Sequence, residues 1–596
     1  KAEAWGFLVS LASSVGFESD ALSAAACCTR LSPTQTDLLI AAASAYAKFG
    51  HFAEAIHFQK RIICSSPSHD RQWLRLSEWA CIALRFDVAQ SAANKVIRLG
   101  ANIHQGLSGL ADVAYRQDRF PDAETYLKKV LVLQPGDSSA LIRLGLVGER
   151  LGVSTRAVSH CERAVMLMPD FAEYHYNLGC VASSAGDSSV AIQSYVDCLR
   201  LDRFYLAARN NLGNIKRGSQ DFSGAHLEYR KAVVIAPDQE LAYKNHSNCA
   251  EVAGDFFSSR RLSRQAFLLN STDRISEWNL GMRLLAGGQF AEGWRHCEVR
   301  WIDSGVPADF LKTNIFRTSR PRVDSLSECS GRRVLVWAEQ GVGDELMFGT
   351  MLKEFGGYCG RLLVEVDRRL LPLYRRSFGS EVEWIERGVE VEESRYDLQI
   401  PVGSLGLHLR PSVESFAGHG GGYLAADRDR SERLRASLGV SAEERLVGLS
   451  WRSASPKTGI RRSLGLLELI EALRGPGVRF VSLQYGSVGE EIEEVYRRSG
   501  VRVLECAEVD NFTDLDGLAS LLWGCDEVVT VGNATAHLAG SIGQRAHVLL
   551  PFVAEWRWMH EGDRSVWYDS LKLHRQTQRD DWQGVLDSLF GALSNA

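Results

Sequence analysis

The sequence predicts an all-α superhelical solenoid of helical repeats followed by an α/β domain built from two Rossmann-like halves. Two observations carry that expectation. A 34-residue period runs from the start of the chain to about Trp301, and from residue 333 onward short apolar strand-type runs alternate with helical stretches. At 596 residues the chain is too long for one core, so several domains are expected. Sixty-eight Lys and Arg stand against 73 Asp and Glu, which leaves no positive excess to hold nucleic acid; proteins and small molecules are the expected partners. The thirteen cysteines include no C-x-x-C pair, so they form neither a zinc template nor a disulfide framework, and a reducing, cytoplasmic setting is expected. No stretch of 18 apolar residues occurs, so no membrane span is expected, and no export leader is read at the N-terminus.

The repeat is explicit in the residues. Leu-Gly stands at 144 and 145, 178 and 179, 212 and 213, and 280 and 281, with His-Ser at 246 and 247 off the pattern. Twelve residues after each glycine position a small residue is needed where two helices cross closely. Ala21, Ala55, Ala89, Ala123, Ala157, Ala191 and Ala225 supply it, followed by Ser259 and Gly293. Prolines 135, 169 and 237 fall on the same grid, where a helix must stop. This resembles the tetratricopeptide repeat, with eight to nine copies across 1–301. A solenoid of that kind holds a protein or peptide on an extended surface. Asn177, Asn211, Asn245 and Asn279 also recur every 34 residues. An amide offers one acceptor and two donors, so such a ladder suits an extended acceptor backbone read without regard to its sequence, as in O-linked N-acetylglucosamine transferase, whose repeat tract this resembles. Tying neighbouring helices together is the alternative role.

After "GGQFAEGWRHCEVRW" (287–301) the period fades, and 302–330 reads as a packed linker. Strands follow at "RVLVWA", "RLLVEV" and "YDLQIPV" in a first half spanning 331–410. "RLVGLSW", "VRFVSLQ", "DEVVTV" and "AHVLLP" build a second half spanning 445–596. The polar, glycine-rich stretch 411–444 connects them. Alternation of strand and helix means parallel sheets covered on both faces, with ligands at the strand ends. After the first strand, "EQGVGDELMF" places Gly341 and Gly343 for a tight turn into a helix, with Asp344 at its N-terminus facing the cleft and Glu345 next to it in sequence. Leu346 stands where a dinucleotide fingerprint needs its third glycine, which disfavours nicotinamide cofactors. A helix N-cap is the structural alternative for Asp344.

"WAEQGVGDE", "GLSWRS", "SLQYG", "HLAGSIG", "EWRW", "SVWY", "LHRQ" and "DDW", in this order, resemble the glycosyltransferase half of bacterial proteins that join tetratricopeptide repeats to a GT-B domain related to heptosyltransferases. Flagellin O-glycosyltransferases of the FlmG type share the layout. The resemblance implies an inverting, metal-independent transfer of sugar from a nucleotide donor to a Ser or Thr of a protein recruited by the repeats. Flagellin is the favoured acceptor and a CMP-linked nonulosonic acid such as pseudaminic acid the favoured donor, with UDP- or ADP-sugars next. It implies Asp344 as general base, with Glu345 beside it. For the donor it implies Gly341, Gly343, Arg452, Ser453, Lys457, Gln484, Asn533, Thr535, His537, Arg575 and Gln576. Relatives often carry an Asp where this chain has Gly532. Arg461 and Arg462 are phosphate partners or a solvated loop. Trp556, Arg557, Trp558, Trp567 and Tyr568 are expected to wall the space between the halves. Two other functions stay open: a scaffold or export chaperone whose GT-B half has lost catalysis, and a heptosyltransferase acting on lipopolysaccharide.

Overall fold

The computed structural model describes residues 2–301, 316, 318–453 and 459–594. The chain divides into two compact units at Pro237 and Asp238. That division falls inside the repeat tract, not at 301 where the period fades.

The first unit is a series of paired antiparallel helices, from Ala2–Val15 to Phe222–Ile235. Each pair turns through a residue in the left-handed region: Gly16, Gly50, Leu84, Asp118, Gly152, Gly186 and Gln220, 34 residues apart. The backbone therefore demands positive φ at every hairpin whether or not the sequence supplies glycine. The alanines predicted at helix crossings are fully buried from Ala55 to Ala225. The Leu-Gly glycines leave room for side chains of the partner helix. A Cβ at Gly179 would lie 2.6 Å from the Tyr195 ring, and one at Gly213 the same distance from Tyr229.

The second unit opens with two more helix pairs, Glu240–Ala253 with Phe256–Leu269 and Arg274–Ala286 with Phe290–Cys297. Two parallel sheets follow. Strands β1 (Arg333–Trp337), β2 (Arg361–Val366), β3 (Val382–Glu386) and β4 (Leu398–Pro401) lie in the order β3-β2-β1-β4. Strands β5 (Arg445–Ser450), β6 (Val478–Ser482), β7 (Val503–Leu504), β8 (Glu527–Val531), β9 (Ala546–Leu550) and β10 (Leu571–Arg575) lie in the order β10-β9-β8-β5-β6-β7. All pairings between these strands are parallel. β8 and β9 are buried along their whole length, as strands covered on both faces must be. The strand order reverses between β1 and β4 and again between β5 and β8, the positions where open parallel sheets collect ligands. The stretch 411–444 is more than a connection. Its helix Arg428–Ser437 packs on Leu515–Trp523, with Arg430 paired to Asp514.

The last two repeats belong with the sheets because specific bonds hold them there. The Trp294 indole donates to the Arg410 carbonyl at 2.8 Å, and the Ala291 amide to the Pro411 carbonyl at 2.9 Å. Gly254 turns against the Phe552 ring, and Phe256 stacks on His560 with centroids 3.6 Å apart. Arg300, from the end of the repeats, reaches Glu339 at the end of β1, with its Nε 2.7 Å from the carboxylate. The Gly403 amide donates to the same carboxylate at 2.7 Å. Both partners are buried, so this ion pair is one that the surrounding hydrogen bonds must complete.

Candidate active site

Two helix N-termini meet between the sheets. Val342–Gly349 follows β1 and Ala534–Ser541 follows β8, and the two pack against each other. Gly343 makes that approach possible, since a Cβ there would lie 3.2 Å from the His537 ring. Gly341 is the N-cap of its helix, so the capping alternative for Asp344 does not hold. Asp344 sits one turn in, where the helix dipole favours an anion. Its Oδ1 accepts from Arg557 Nε at 2.8 Å and from the same guanidinium through Nη2. The Gln340 amide, with its nitrogen turned toward the carboxylate, lies 3.2 Å from Oδ2. Arg557 also approaches Glu555 at 3.6 Å, and Glu555 pairs with Arg462 at 3.0 Å. Arg462 donates to the Gly532 carbonyl. The result is a chain of alternating charge from one half to the other.

Glu345, expected beside the base, turns away from the cleft. Its carboxylate is buried, accepts from the Asp367 amide at 2.8 Å, and lies 3.0 Å from Arg387. Burial pushes its carboxyl up to about 7. His537 is buried against Trp558, centroids 4.9 Å apart, with Nδ1 3.3 Å from the Tyr568 hydroxyl. Burial, then the charges of Arg557 and Arg462, lower its imidazole to about 3, so it is neutral near pH 7. The departure at Gly532 has a physical reason here. A Cβ at that position would lie 2.9 Å from Trp558 Nε1, so the indole occupies the room an aspartate would need.

The other expected donor residues cluster at the C-terminal edge of the second sheet, where many of their polar atoms hold loops. The Gln484 Oε1 accepts from the Ser450 hydroxyl and from the Trp451 and Arg452 amides, which fixes the loop after β5. Asn533 is the N-cap of its helix: its Oδ1 accepts from the Thr535 and Ala536 amides, and its Nδ2 donates to Ser450. Thr535 is buried in that first turn. Arg452 pairs with Glu491 at 3.1 Å, and the Ser453 amide donates to Ser463. Lys457 lies outside the described residues. Arg575 donates to the carbonyls of Trp558, Met559, Glu561 and Gly562, and the buried Gln576 accepts from the Phe552 amide, so both brace the 552–562 segment. Beside these loops, a cavity of about 560 Å³ is lined by Gln484, Tyr485, Asp510, Asn511 and Phe512.

Within the first unit, Asn211 donates to the Tyr195 hydroxyl at 3.3 Å and to Cys180, which is the tying role. Asn177 is half-buried on the equivalent helix, as are Asn245 and Asn279 in the second unit. A cavity of about 640 Å³ lies earlier in the first unit, between Ile82, Tyr115, Leu127 and Leu146, with Arg143 paired to Asp112 at 2.7 Å on its wall.

Sequence reasoning missed the pairing of Arg557 with Asp344 and that of Arg300 with Glu339. "EWRW" was the signal for the first, but the partners lie 213 positions apart.

Helical repeats leading into paired parallel sheets with a charged cleft define a repeat protein fused to an α/β module. Residues 84–138, 108–172 and 172–205 match models of the tetratricopeptide repeat, so that stretch of the chain consists of such repeats. Protein FlbA of Caulobacter vibrioides (strain ATCC 19089 / CIP 103742 / CB 15) is 28% identical over 404 residues, covering 64% of this chain and 66% of that protein. The match therefore spans just under two thirds of its relative. Among solved structures, MamA protein is similar over 28% of this chain and 93% of its own, at 22% identity and a TM-score of 0.27. The APC/C hetero-tetramer Cut9-Hcn1 is similar over 45% and 53%, at 14% identity and a TM-score of 0.35. YrrB, described as a TPR protein with an unusual peptide-binding site, is similar over 31% and 95%, at 15% identity and a TM-score of 0.24. No described helix is long and apolar enough to cross a membrane.

Proposed function

We propose that this protein is a cytoplasmic protein O-glycosyltransferase of GT-B type. In this reading the two sheets are its Rossmann-like halves, the repeats recruit a polypeptide acceptor, flagellin above others, and the cleft transfers sugar from a nucleotide donor. The observation that carries the reading is the placement of Asp344. A carboxylate stands at a helix N-terminus on the C-terminal edge of one sheet, facing a second helix N-terminus and two arginines from the other sheet. A serine or threonine hydroxyl is a weak nucleophile until a base takes its proton, which is the role of Asp344. A departing nucleotide phosphate gathers negative charge, which in this reading Arg462 and Arg557 offset beside the positive end of the Ala534–Ser541 helix dipole. The 560 Å³ cavity beside Gln484, at the C-terminal ends of β6 and β7, has the volume for the nucleoside in this reading.

Asp344→Asn tests the reading. Nucleotide release from a CMP-nonulosonate in the presence of flagellin is expected to fall by 10² or more, while flagellin still binds. Full turnover in that variant removes Asp344 from the base role. A second reading, a scaffold without catalysis, is favoured by the ion pair that ties Asp344 to Arg557. It predicts flagellin binding with no turnover of CMP-, UDP- or ADP-sugars by the wild-type protein.

A further inference from the structure

A cavity of about 290 Å³ is lined in part by Arg557, the ion-pair partner of Asp344. Glu251, Trp278 and Met282 of the last two repeats form one wall, Gln340 of the first half another, and Trp556 and Arg557 of the second half a third. Repeat helices, with no direct share in either sheet, thus line the space beside the candidate base. Gln340 and Arg557 both line the cavity and reach the Asp344 carboxylate, so the base lies one side chain behind the cavity wall.

We infer that this cavity is the acceptor subsite, and that it takes a Ser- or Thr-bearing segment of the polypeptide with its hydroxyl directed at Asp344. The inference rests on the transferase reading above. Three features fix the occupant. The volume, about 290 Å³, falls just below the ~300–1,000 Å³ typical of ligand sites, too little for a whole nucleotide sugar and enough for a few side chains. Its titratable lining is three carboxylates, Glu251, Glu339 and Glu555, against two guanidiniums, Arg300 and Arg557, a balance that disfavours an anionic phosphate. Its apolar lining, Trp278, Met282 and Trp556, suits the carbon skeleton of a peptide. In the transfer step the hydroxyl oxygen bonds to the anomeric carbon and its proton passes to Asp344. The bond from that carbon to the phosphate oxygen breaks, and the nucleotide leaves with the electron pair. The last two repeats therefore line the acceptor subsite itself, which accounts for their packing with the sheets.

The test uses the full chain with a CMP-nonulosonate and flagellin, and reads two products of one reaction: sugar on protein and sugar released to water. Met282→Trp, which fills the cavity, is expected to lower the ratio of protein-bound to released sugar at least tenfold. Trp278→Leu, which removes an aromatic wall, is expected to lower the ratio through a higher KM for flagellin, and it decides the matter if Met282→Trp does not fold. A ratio at the wild-type value in a folded variant overturns the inference. A wild-type chain that delivers sugar from CMP-, UDP- or ADP-linked donors to neither protein nor water overturns the transferase reading itself, and the inference with it.

Discussion

At position 84 a hairpin that needs a left-handed residue receives leucine, with φ of 58° and a side chain 64% exposed. The left-handed conformation costs a residue with a Cβ about 1–2 kcal/mol, partly offset by glycine's greater freedom in the unfolded chain. Leu84→Gly is therefore expected to stabilise the first unit by about 0.5–1 kcal/mol, read as a rise in its melting temperature. Gly254→Ala should do the opposite, because its φ is 86° and a Cβ would lie 2.7 Å from Phe552. His560 makes a pH prediction. Burial holds its imidazole at about 4, below the ordinary 6.5, so between those values the unfolded chain binds a proton that the folded chain refuses. Its contribution is present above pH 6.5 and lost as pH falls toward 4. His560→Phe keeps the stack on Phe256 and removes the titration. Its melting temperature relative to wild type should climb steadily from pH 7 to pH 4.5; a constant difference would refute the assignment.

At the level of elements, much was legible because the physics was local. The 34-residue grid marks helices that pack against their sequence neighbours, and fully buried strands such as β8 and β9 read directly as apolar runs. β3 did not, because it lies at a sheet edge with Glu383, Trp384 and Glu386 incompletely buried. β7, of two residues, is too short to show a period. The contacts that seat the last repeats were equally hidden, since Trp294 and Arg410 are 116 positions apart. Arg300 and Glu339 give the test at this scale. Removing one partner of a buried, hydrogen-bonded pair typically costs about 3–5 kcal/mol, so Glu339→Ala should sharply lower the melting temperature of the second unit. Arg300→Met together with Glu339→Leu should recover part of that loss.

At the level of the whole molecule, the compact unit that begins at Asp238 predicts where the chain can be cut. A fragment of 238–596 is expected to unfold cooperatively. One of 331–596 lacks Trp294 and Arg300 and is expected to aggregate or melt well below it, as followed by calorimetry. The layout of repeats and sheets was readable from sequence, yet the domain edge was not, because period locates a repeat while packing decides which neighbour it serves. The same holds for the cleft: Asp344 could be picked out by its motif, whereas its counter-ion, its cavity and the reason for Gly532 required the fold. Transfer of a sugar to a protein through Asp344 is the proposal on which the rest depends. Intact-mass measurement of flagellin co-expressed with the wild-type chain or with Asp344→Asn is its most direct test. A gain of one or more sugar masses is expected with the wild type alone; an unchanged mass with the wild type, or an equal gain with the variant, would contradict the proposal.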